Sequence, residues 1–344
     1  MERRFRLIVA VVVSVLGALW IAPAAAGSSA VVFMYHRFGE NAYPSTNIRL
    51  EQFAAHLAEL KSGRYTVMGL PEIVTRLRHG KNLPDRTVAI TIDDAYRTVY
   101  TEAWPRLKAA GFPFTVFVTT GPVDERFKGM MTWDQIRELK AGGVTIGHHT
   151  ASHLHMPEAE ATRNASEITD GAARLAAELG ESSHLFAYPY GEYGLAVRKV
   201  IEPAGFVAAF GQHSGVIHAK SDFLYLPRFA LNERYGEMAR FRMAANALPL
   251  PVTDVTPLDP YLNGKPNPPR FAFTIGDEAA KGIKAVTCYV SGQGKAKLKR
   301  SGARRIEVPI ERAFGPGRSR VNCTMPADNR RWRWFGLQFT VPKN

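Results

Sequence analysis

Short apolar runs alternate with longer amphipathic stretches from residue 30 to residue 247. Seven of the runs have the length and composition of strands. They are VVFMY (31–35), TVAITI (87–92), FTVFV (114–118), VTIG (144–147), LFAY (185–188), FVAAF (206–210) and FLYLP (223–227). The stretches between them have helical character and several end in glycine, as helices do. This alternation predicts a parallel sheet, and about seven such units over roughly 220 residues suit a (β/α) barrel-like α/β domain.

The pattern changes after residue 248. Seven prolines fall between Pro249 and Pro269, a density that excludes helix and central strand. Beyond them, the runs RFAFTI, AVTCYV, RIEVPI and WFGLQFTV have period-two character and are separated by Gly-rich or charged turns. We therefore predict a barrel domain over 27–248, a Pro-rich linker over 249–269 and a small all-β sandwich over 270–344.

The N-terminus resembles an export signal. Arg3, Arg4 and Arg6 precede an apolar run over 7–22, and an A-x-A cleavage site ends at Ala26. This order is typical of a cleavable signal peptide over 1–26. An uncleaved membrane anchor is the alternative, but it needs about 18 to 20 apolar residues and this run is slightly shorter. The sequence thus predicts a periplasmic or secreted protein.

The positive charge is concentrated in the last part of the chain. The whole chain has a formal net charge of +13. Residues 265–344 contain 17 Lys and Arg against 5 Asp and Glu, a net of +12, whereas residues 27–264 contain 24 against 25, a net of −1. This favours an anionic polymer or a membrane surface as a partner of the C-terminal module. Because the protein is expected to be exported, nucleic acid is not an expected partner.

Two further features belong to the predicted sandwich. Cys288 and Cys323 could pair in an oxidising compartment or remain buried thiols, and the sequence leaves both open. In RRWRWFG, strand alternation places Trp332 and Trp334 on one face. We expect both rings in the sandwich core, with a sugar-stacking platform as the alternative.

Titratable residues follow the predicted strands of the first domain. His36 follows the first run, Asp93 and Asp94 follow the second, and Tyr190 lies just beyond LFAY. VTIG is followed by a stretch that holds His148, His149, His153 and His155. Because strand C-terminal ends are where a (β/α) barrel keeps its active site, these residues indicate one shared site.

The residue types point to a metal site with a general base beside it. Adjacent buried carboxylates repel, unless a cation neutralises one and the other accepts a proton. His149 and His153 are four apart, so a helical turn would place them on one face, and with one aspartate they would form a two-histidine, one-carboxylate site for Zn²⁺ or a similar divalent ion. The alternatives are a solvated histidine-rich loop and a periplasmic zinc-binding protein. We expect His148 and His155 to be bystanders.

TIDD (91–94), HTASH (149–153) and YPYG (188–191) resemble the three principal motifs of the polysaccharide deacetylases, the NodB-homology group also called carbohydrate esterase family 4. The resemblance covers roughly residues 31–229. MYHRF (34–38) is similar to the branch that acts on poly-β-1,6-linked N-acetylglucosamine. The resemblance implies a distorted (β/α) barrel and metal-dependent removal of acetyl groups from N-acetylhexosamine polymers.

The resemblance also implies residue roles. Asp93 would be the catalytic base, Asp94, His149 and His153 the metal ligands, and the backbone N–H of Tyr190 part of the oxyanion site. His36 would be the general acid, for which we expect a pKa near or above neutral because of the nearby carboxylates.

One position departs from the pattern of many family members. Where they have an arginine that orients the catalytic aspartate, this chain has Ala187. We hypothesise that Arg228, in LPRF, pairs with Asp93 instead.

The sequence therefore predicts an N-deacetylase of an N-acetylated polysaccharide, with poly-β-1,6-N-acetylglucosamine or a related extracellular polymer as substrate and Zn²⁺, Co²⁺ or Ni²⁺ as cofactor. A deacetylase of chitin oligomers, peptidoglycan or O-acetyl esters is an alternative, as is an inactive carbohydrate-binding protein.

Overall fold

The structure is a computed structural model that describes residues 29–343, so the predicted signal peptide over 1–26 lies outside the described residues. The first domain contains eleven strands. They are β1 (Ser29–Tyr35), β2 (Arg37–Phe38), β3 (Asn47–Ile48), β4 (Thr66–Val67), β5 (Thr87–Asp93), β6 (Thr115–Val118), β7 (Thr145–His148), β8 (Leu185–Ala187), β9 (Ala208–Phe210), β10 (Ile217–His218) and β11 (Phe229–Ala230).

Eight α-helices accompany these strands. They are α1 (Leu50–Lys61), α2 (Leu70–Arg78), α3 (Trp104–Ala110), α4 (Thr120–Asp124), α5 (Trp133–Ala141), α6 (Ala161–Leu179), α7 (Leu195–Ile201) and α8 (Met238–Ala245). A π-helical turn over Val99–Ala103 leads into α3. Helices α3 and α6 end at glycine, as predicted. Gly111 and Gly180 adopt left-handed φ values of 70° and 80°, which glycine takes without strain.

The main sheet has the order β10-β1-β5-β6-β7-β8-β9, with β11 and β4 pairing beside β1 and β5. From β1 through β5 to β9, every pairing is parallel. All seven residues of β5 are buried, as expected for a strand covered on both faces. The sheet is curled and open, which confirms the predicted distorted (β/α) barrel class. The parallel order brings the C-terminal ends of β1, β5, β7 and β8 to one edge.

One predicted strand is wrong. FLYLP (223–227) forms a turn, in which the backbone N–H of Tyr225 donates to the carbonyl of Asp222, and only Leu226 makes an isolated bridge, to Phe210. Its apolar side chains pack against different neighbours. Leu226 is buried in the barrel core, while Tyr225 stacks on Tyr193. The strand in this region is β11, two residues later.

The C-terminal part of the chain forms two antiparallel-rich sheets. Its strands are β12 (Leu248–Pro249), β13 (Val252–Thr256), β14 (Phe271–Ile275), β15 (Thr287–Val290), β16 (Gly294–Lys295), β17 (Lys299–Ser301), β18 (Arg305–Val308), β19 (Gly317–Pro326) and β20 (Trp332–Val341). One sheet has the order β12-β20-β19-β15-β16 and the other β13-β14-β18-β17. The Pro-rich stretch contributes β12 and β13, both at sheet edges, where missing N–H donors are tolerated. The exact domain boundaries stay a prediction.

Cys288 and Cys323 are direct cross-strand partners on β15 and β19, and they form a disulfide in the sandwich core. The structure thus settles the alternative that the sequence left open.

The expectation for the tryptophans is wrong. The odd residues of β20, Phe335, Leu337 and Phe339, join the sandwich core. Trp334 points the other way and packs on Phe229 of the barrel, with ring centroids 5.1 Å apart, while Trp332 is exposed. The sandwich is therefore docked on the barrel through one face of β20.

Within residues 29–343, no helix combines the length and the apolar character that crossing a bilayer requires.

Candidate metal centre

Three potential ligands converge at the C-terminal edge of the main sheet. Asp94 directly follows β5 and His149 directly follows β7, whereas His153 lies in the loop beyond. Asp94 Oδ1 is 3.3 Å from His149 Nε2 and 3.2 Å from His153 Nε2. One ligand atom from each of the three residues lies within 4.8 Å of the others. The structure therefore assembles the two-histidine, one-carboxylate set that the sequence predicted.

The hydrogen bonds of this set fit a cation. His149 Nδ1 lies 2.7 Å from the carbonyl oxygen of Ala187, which can only accept, so Nδ1 carries the proton and Nε2 presents a lone pair. His149 Nε2 and Asp94 Oδ1 are buried and have no hydrogen-bond partner among the described residues. Two buried lone-pair atoms 3.3 Å apart are unfavourable without a positive charge between them. A divalent metal supplies that charge, and these three residues would hold it.

The helical turn expected between the two histidines is wrong. Residues 149–155 form an irregular loop, and Thr150 and His153 have positive φ values of 64° and 60°. The Thr150 hydroxyl accepts from the backbone N–H of His153 at 3.0 Å, and the carbonyl of Ala151 accepts from the N–H of Gly121 at 2.7 Å. These contacts, one within the segment and one with α4, fold the segment back and bring the imidazole centroids to 4.8 Å.

Left-handed backbone is concentrated around this centre. Asp94, Thr150, His153 and Tyr190 all have φ between 58° and 74°. Such conformations cost non-glycine residues of the order of 1 kcal/mol or more each and persist where the surroundings enforce them. Gly191, next in the chain, has φ 66°, and a Cβ there would lie 2.4 Å from the backbone nitrogen of Gln212. YPYG is thus a tight turn that holds Tyr190 at the site.

Arg228 and Asp93 form a buried bidentate ion pair. Arg228 donates to the two carboxylate oxygens of Asp93 at 2.7 and 2.8 Å, and both side chains are fully buried. The guanidinium also donates to the carbonyl of Gly211 at 3.0 Å and to the Thr91 hydroxyl at 3.2 Å. The structure thus brings together the two residues that the sequence hypothesis paired. Burial alone would raise the pKa of Asp93, but the charge of Arg228, helped by His149 and His36, lowers it.

A cavity of about 730 Å³ lies over the metal centre, within the range of about 300 to 1,000 Å³ usual for ligand pockets. His36, Asp94, His153 and Tyr190 line it, whereas Asp93 lies beneath the lining with Arg228. The expectation of a near-neutral or raised pKa for His36 is wrong. Burial is the dominant effect and lowers the pKa of His36, although the carboxylates of Asp94 and Asp93 oppose it.

The structure also shows contacts around Tyr190 that the sequence did not predict. His155 Nδ1 lies 2.7 Å from a carboxylate oxygen of the buried Glu192, and its ring stacks on that of Tyr190 with centroids 4.1 Å apart. His155 therefore positions the Tyr190 ring and is more than a bystander. Only a tertiary contact links it to Glu192, which is 37 residues away. Gln338, from the sandwich, donates to the carbonyl of Tyr190 at 3.1 Å.

His148 behaves as expected for a residue outside the metal centre. It ends β7 and is fully buried. Its Nδ1 accepts from the backbone N–H of Thr150 at 3.0 Å, and its Nε2 lies 3.0 Å from the carbonyl of Ile168. Both ring nitrogens are thereby used in holding the loop that carries the ligands.

Comparison with known proteins agrees with this geometry. A family model described as polysaccharide deacetylase matches residues 80–209. The putative polysaccharide deacetylase YxkH of Bacillus subtilis is 26% identical over 175 residues, which are 51% of this chain and 61% of YxkH. The poly-β-1,6-N-acetyl-D-glucosamine N-deacetylase of Staphylococcus aureus is 26% identical over 214 residues, 58% of this chain and 73% of that protein. The chain thus spans less than two thirds of YxkH.

Among solved structures, IcaB from Ammonifex degensii is similar with a TM-score of 0.57 and 27% identity, over 64% of this chain and 98% of that one. The family match includes β5 with Asp93 and Asp94, the loop with His149 and His153, and the YPYG turn. The match confirms the resemblance drawn from the sequence motifs, and it supports the predicted class of hydrolase, which acts on carbon–nitrogen bonds other than peptide bonds. Residues 80–209 of the chain thus match the polysaccharide deacetylase family.

Proposed function

We propose that this protein is an exported, metal-dependent enzyme that hydrolyses the acetamido groups of an N-acetylhexosamine polysaccharide. The observation that carries the proposal is the trio Asp94, His149 and His153, with unpartnered lone pairs, beside the buried Asp93–Arg228 pair. Poly-β-1,6-N-acetylglucosamine or a related extracellular polymer is the proposed substrate, since the Staphylococcus aureus relative is named for that activity. Zn²⁺ is the proposed metal, with Co²⁺ and Ni²⁺ able to use the same ligands.

When bound by Asp94, His149 and His153, the metal would act as a Lewis acid and lower the pKa of a coordinated water. Asp93 is the proposed base that takes a proton from the attacking water. Arg228 occupies one lone-pair direction of each Asp93 oxygen, so the carboxylate keeps acceptor capacity while its orientation is fixed. The lowered pKa of Asp93 keeps it ionised, as a base must be.

The leaving amine needs a proton, and His36 is the proposed donor. It faces the same cavity as Asp94 and Tyr190. Its lowered pKa makes the protonated imidazole a stronger acid, while a smaller fraction of it is protonated at neutral pH. The backbone N–H of Tyr190 is the proposed partner of the oxyanion that forms when water adds to the acetyl carbon. The positive φ of Tyr190 and the close approach at Gly191 hold that N–H in one direction.

Acetate release from a panel of acetylated compounds tests the proposed reaction. The panel contains poly-β-1,6-N-acetylglucosamine, chitin oligomers, peptidoglycan and a simple O-acetyl ester, each with and without chelator. We expect acetate from at least one N-acetylated polymer, with chelator abolishing the release. Acetate from the O-acetyl ester alone, or from no compound while the protein holds one metal, would contradict an N-deacetylase.

A further inference from the structure

The cavity over the metal centre has an unusually basic wall. Its lining contains two carboxylates, Asp94 and Glu192, and five basic side chains. The basic residues are Arg37, Lys128, Arg318, Arg320 and Lys343. Arg318 and Arg320 are on β19 and Lys343 follows β20, so three of the five come from the sandwich. The basic C-terminal part of the chain thus forms one side of the cleft that contains the proposed active site.

Glu40 pairs with Arg37 at 2.7 Å, but the two carboxylates of the lining do not neutralise the rest of this wall. Asp94 belongs to the metal centre, and Glu192 is already paired with His155 at 2.7 Å. Arg318 reaches Glu192 only at 3.9 Å, and its guanidinium carbon lies 5.1 Å from the centroid of the Tyr190 ring. One of its donors, Nη1, donates to the carbonyl of Tyr190 at 3.4 Å. Arg318 is therefore beside the proposed reaction centre with most of its donors free for a ligand.

Arg320 has no counterion in the part of the chain that the structure describes. Within residues 29–343, no carboxylate lies within the 4.0 Å of an ion pair, and its Nε donates only to the carbonyl of Gln212 at 3.3 Å. Burial, and secondly the charge of Arg318, lowers the pKa of Arg320. A largely desolvated guanidinium without an anion is unfavourable. Its position on the cavity lining makes an anionic group of the ligand the natural partner.

A neutral N-acetylglucosamine polymer offers no such group, and deacetylation makes it cationic. We propose that the cleft takes an N-acetylated polysaccharide that carries anionic oxygens, as carboxylate or phosphate, close to the acetylated sugar, and that Arg318 and Arg320 bind those oxygens. Guanidinium groups match both anions in bidentate geometry. This inference rests on the proposed function and narrows its substrate class to an anionic, related extracellular polymer, in place of neutral poly-β-1,6-N-acetylglucosamine. The family match ends at residue 209, so Arg318 and Arg320 lie outside it.

The test compares three polymers at low and high salt. They are neutral poly-β-1,6-N-acetylglucosamine, a polymer of alternating N-acetylglucosamine and glucuronic acid, and an N-acetylglucosamine polymer with phosphodiester linkages. We expect kcat/KM at low salt to be at least about tenfold higher for one of the two anionic polymers, with the advantage lost at high salt. Whichever anionic polymer is preferred identifies the carboxylate or the phosphate.

Variants test whether the basic wall causes the preference for an anionic polymer. We expect Arg320→Gln to raise KM for the anionic polymer about tenfold or more, with a much smaller change in kcat. Lys299→Gln is the matched control, because it removes the same charge from an exposed strand of the sandwich outside the cavity lining. Its KM should equal that of the unmodified protein.

Equilibrium binding of the same polymers separates the two proposals. Arg320-dependent binding of an anionic polymer, without acetate release from any polymer, would overturn the proposed function and support the anionic site. Equal kcat/KM for neutral and anionic polymers, unchanged in Arg320→Gln, would overturn the anionic site alone. Arg320-dependent binding to vesicles with anionic headgroups, without preference among the polymers, would also overturn it and assign the wall to a membrane surface.

Discussion

At the scale of single residues, the centre contains two neighbouring carboxylates whose negative charges are balanced in different ways. Among residues 29–343, Asp94 Oδ1 has no hydrogen-bond partner, and it faces the lone pair of His149. Asp93, its neighbour in the chain, has both oxygens bound by Arg228. Adjacent carboxylates would repel each other. The structure directs one to a cationic side chain and leaves the other for a metal, which is the division of labour that the sequence suggested.

Removing Arg228 leaves Asp93 as a buried charge without a counterion. We therefore expect Arg228→Ala to lower the free energy of unfolding by about 3 to 5 kcal/mol, measured by urea denaturation. A double variant, Arg228→Met with Asp93→Leu, should recover most of that loss because neither charge remains. A loss below about 1 kcal/mol in the single variant would show that the ion pair is not the stabilising contact described above.

At the scale of secondary structure elements, the sheet was predictable and the loops were not. TVAITI became β5 because a continuous apolar run suits a strand covered on both faces. FLYLP has the same composition but forms a turn, since its side chains are buried separately against different neighbours. The four-residue spacing of His149 and His153 correctly grouped two ligands for the wrong reason. The turn between them depends on contacts with Gly121, which no local pattern reveals.

The candidate site shows the same limit. Asp93, Asp94 and the two histidines follow apolar runs, so their position at the sheet edge could be predicted. Glu192 pairs with His155 across 37 residues, and the arginines of β19 reach the cavity only because the sandwich docks on the barrel. Contacts between separately folded segments leave no periodicity in the sequence. The face of β20 that carries Trp334 was misassigned for that reason.

Helices α1 and α8 meet at a neutral histidine. The ring of His56 in α1 stacks on Phe241 of α8 with centroids 4.0 Å apart. Its Nε2 lies 2.6 Å from the carbonyl of Gly236, so it donates there, and its Nδ1 accepts from the Tyr35 hydroxyl at 3.0 Å. Burial lowers the pKa of His56 from 6.5 to about 4, although the bond to Gly236 opposes this change.

This histidine should make the fold sensitive to acid. The unfolded chain takes up the proton near pH 6.5 and the folded protein only near pH 4, so stability is complete above pH 6.5 and falls as the pH decreases through that window. The contribution of His56 is about 3 kcal/mol. We expect His56→Gln to flatten the dependence of unfolding free energy on pH between 6.5 and 4 by about this amount. Identical slopes for the two proteins would exclude a neutral buried His56.

At the scale of the whole molecule, the sandwich is part of the cleft. Trp334 packs on Phe229, and Arg331 forms a 2.7 Å ion pair with Asp85 of the barrel. Gln338 on the same face as Trp334 holds the carbonyl of Tyr190. The docking of the two parts therefore fixes both the basic wall and the YPYG turn beside the metal centre.

Weakening this contact should uncouple the two parts. We expect Trp334→Ala to reduce the free energy of unfolding by about 2 kcal/mol and to split one calorimetric transition into two. Trp332→Ala is the control, because the neighbouring tryptophan is exposed, and it should change stability by less than about 0.5 kcal/mol. A single unchanged transition in Trp334→Ala would contradict a docking role for this ring.

The most direct test of the central claim is a metal titration of chelator-treated protein, with acetate release from the preferred polymer as the readout. The account predicts that the rate rises linearly with added Zn²⁺ up to one equivalent and then levels off. His149→Ala should remain inactive throughout, while His184→Ala, which removes an exposed histidine, should match the unmodified protein. Full acetate release by metal-free protein, or activation of His149→Ala at one equivalent, would contradict a catalytic metal at Asp94, His149 and His153.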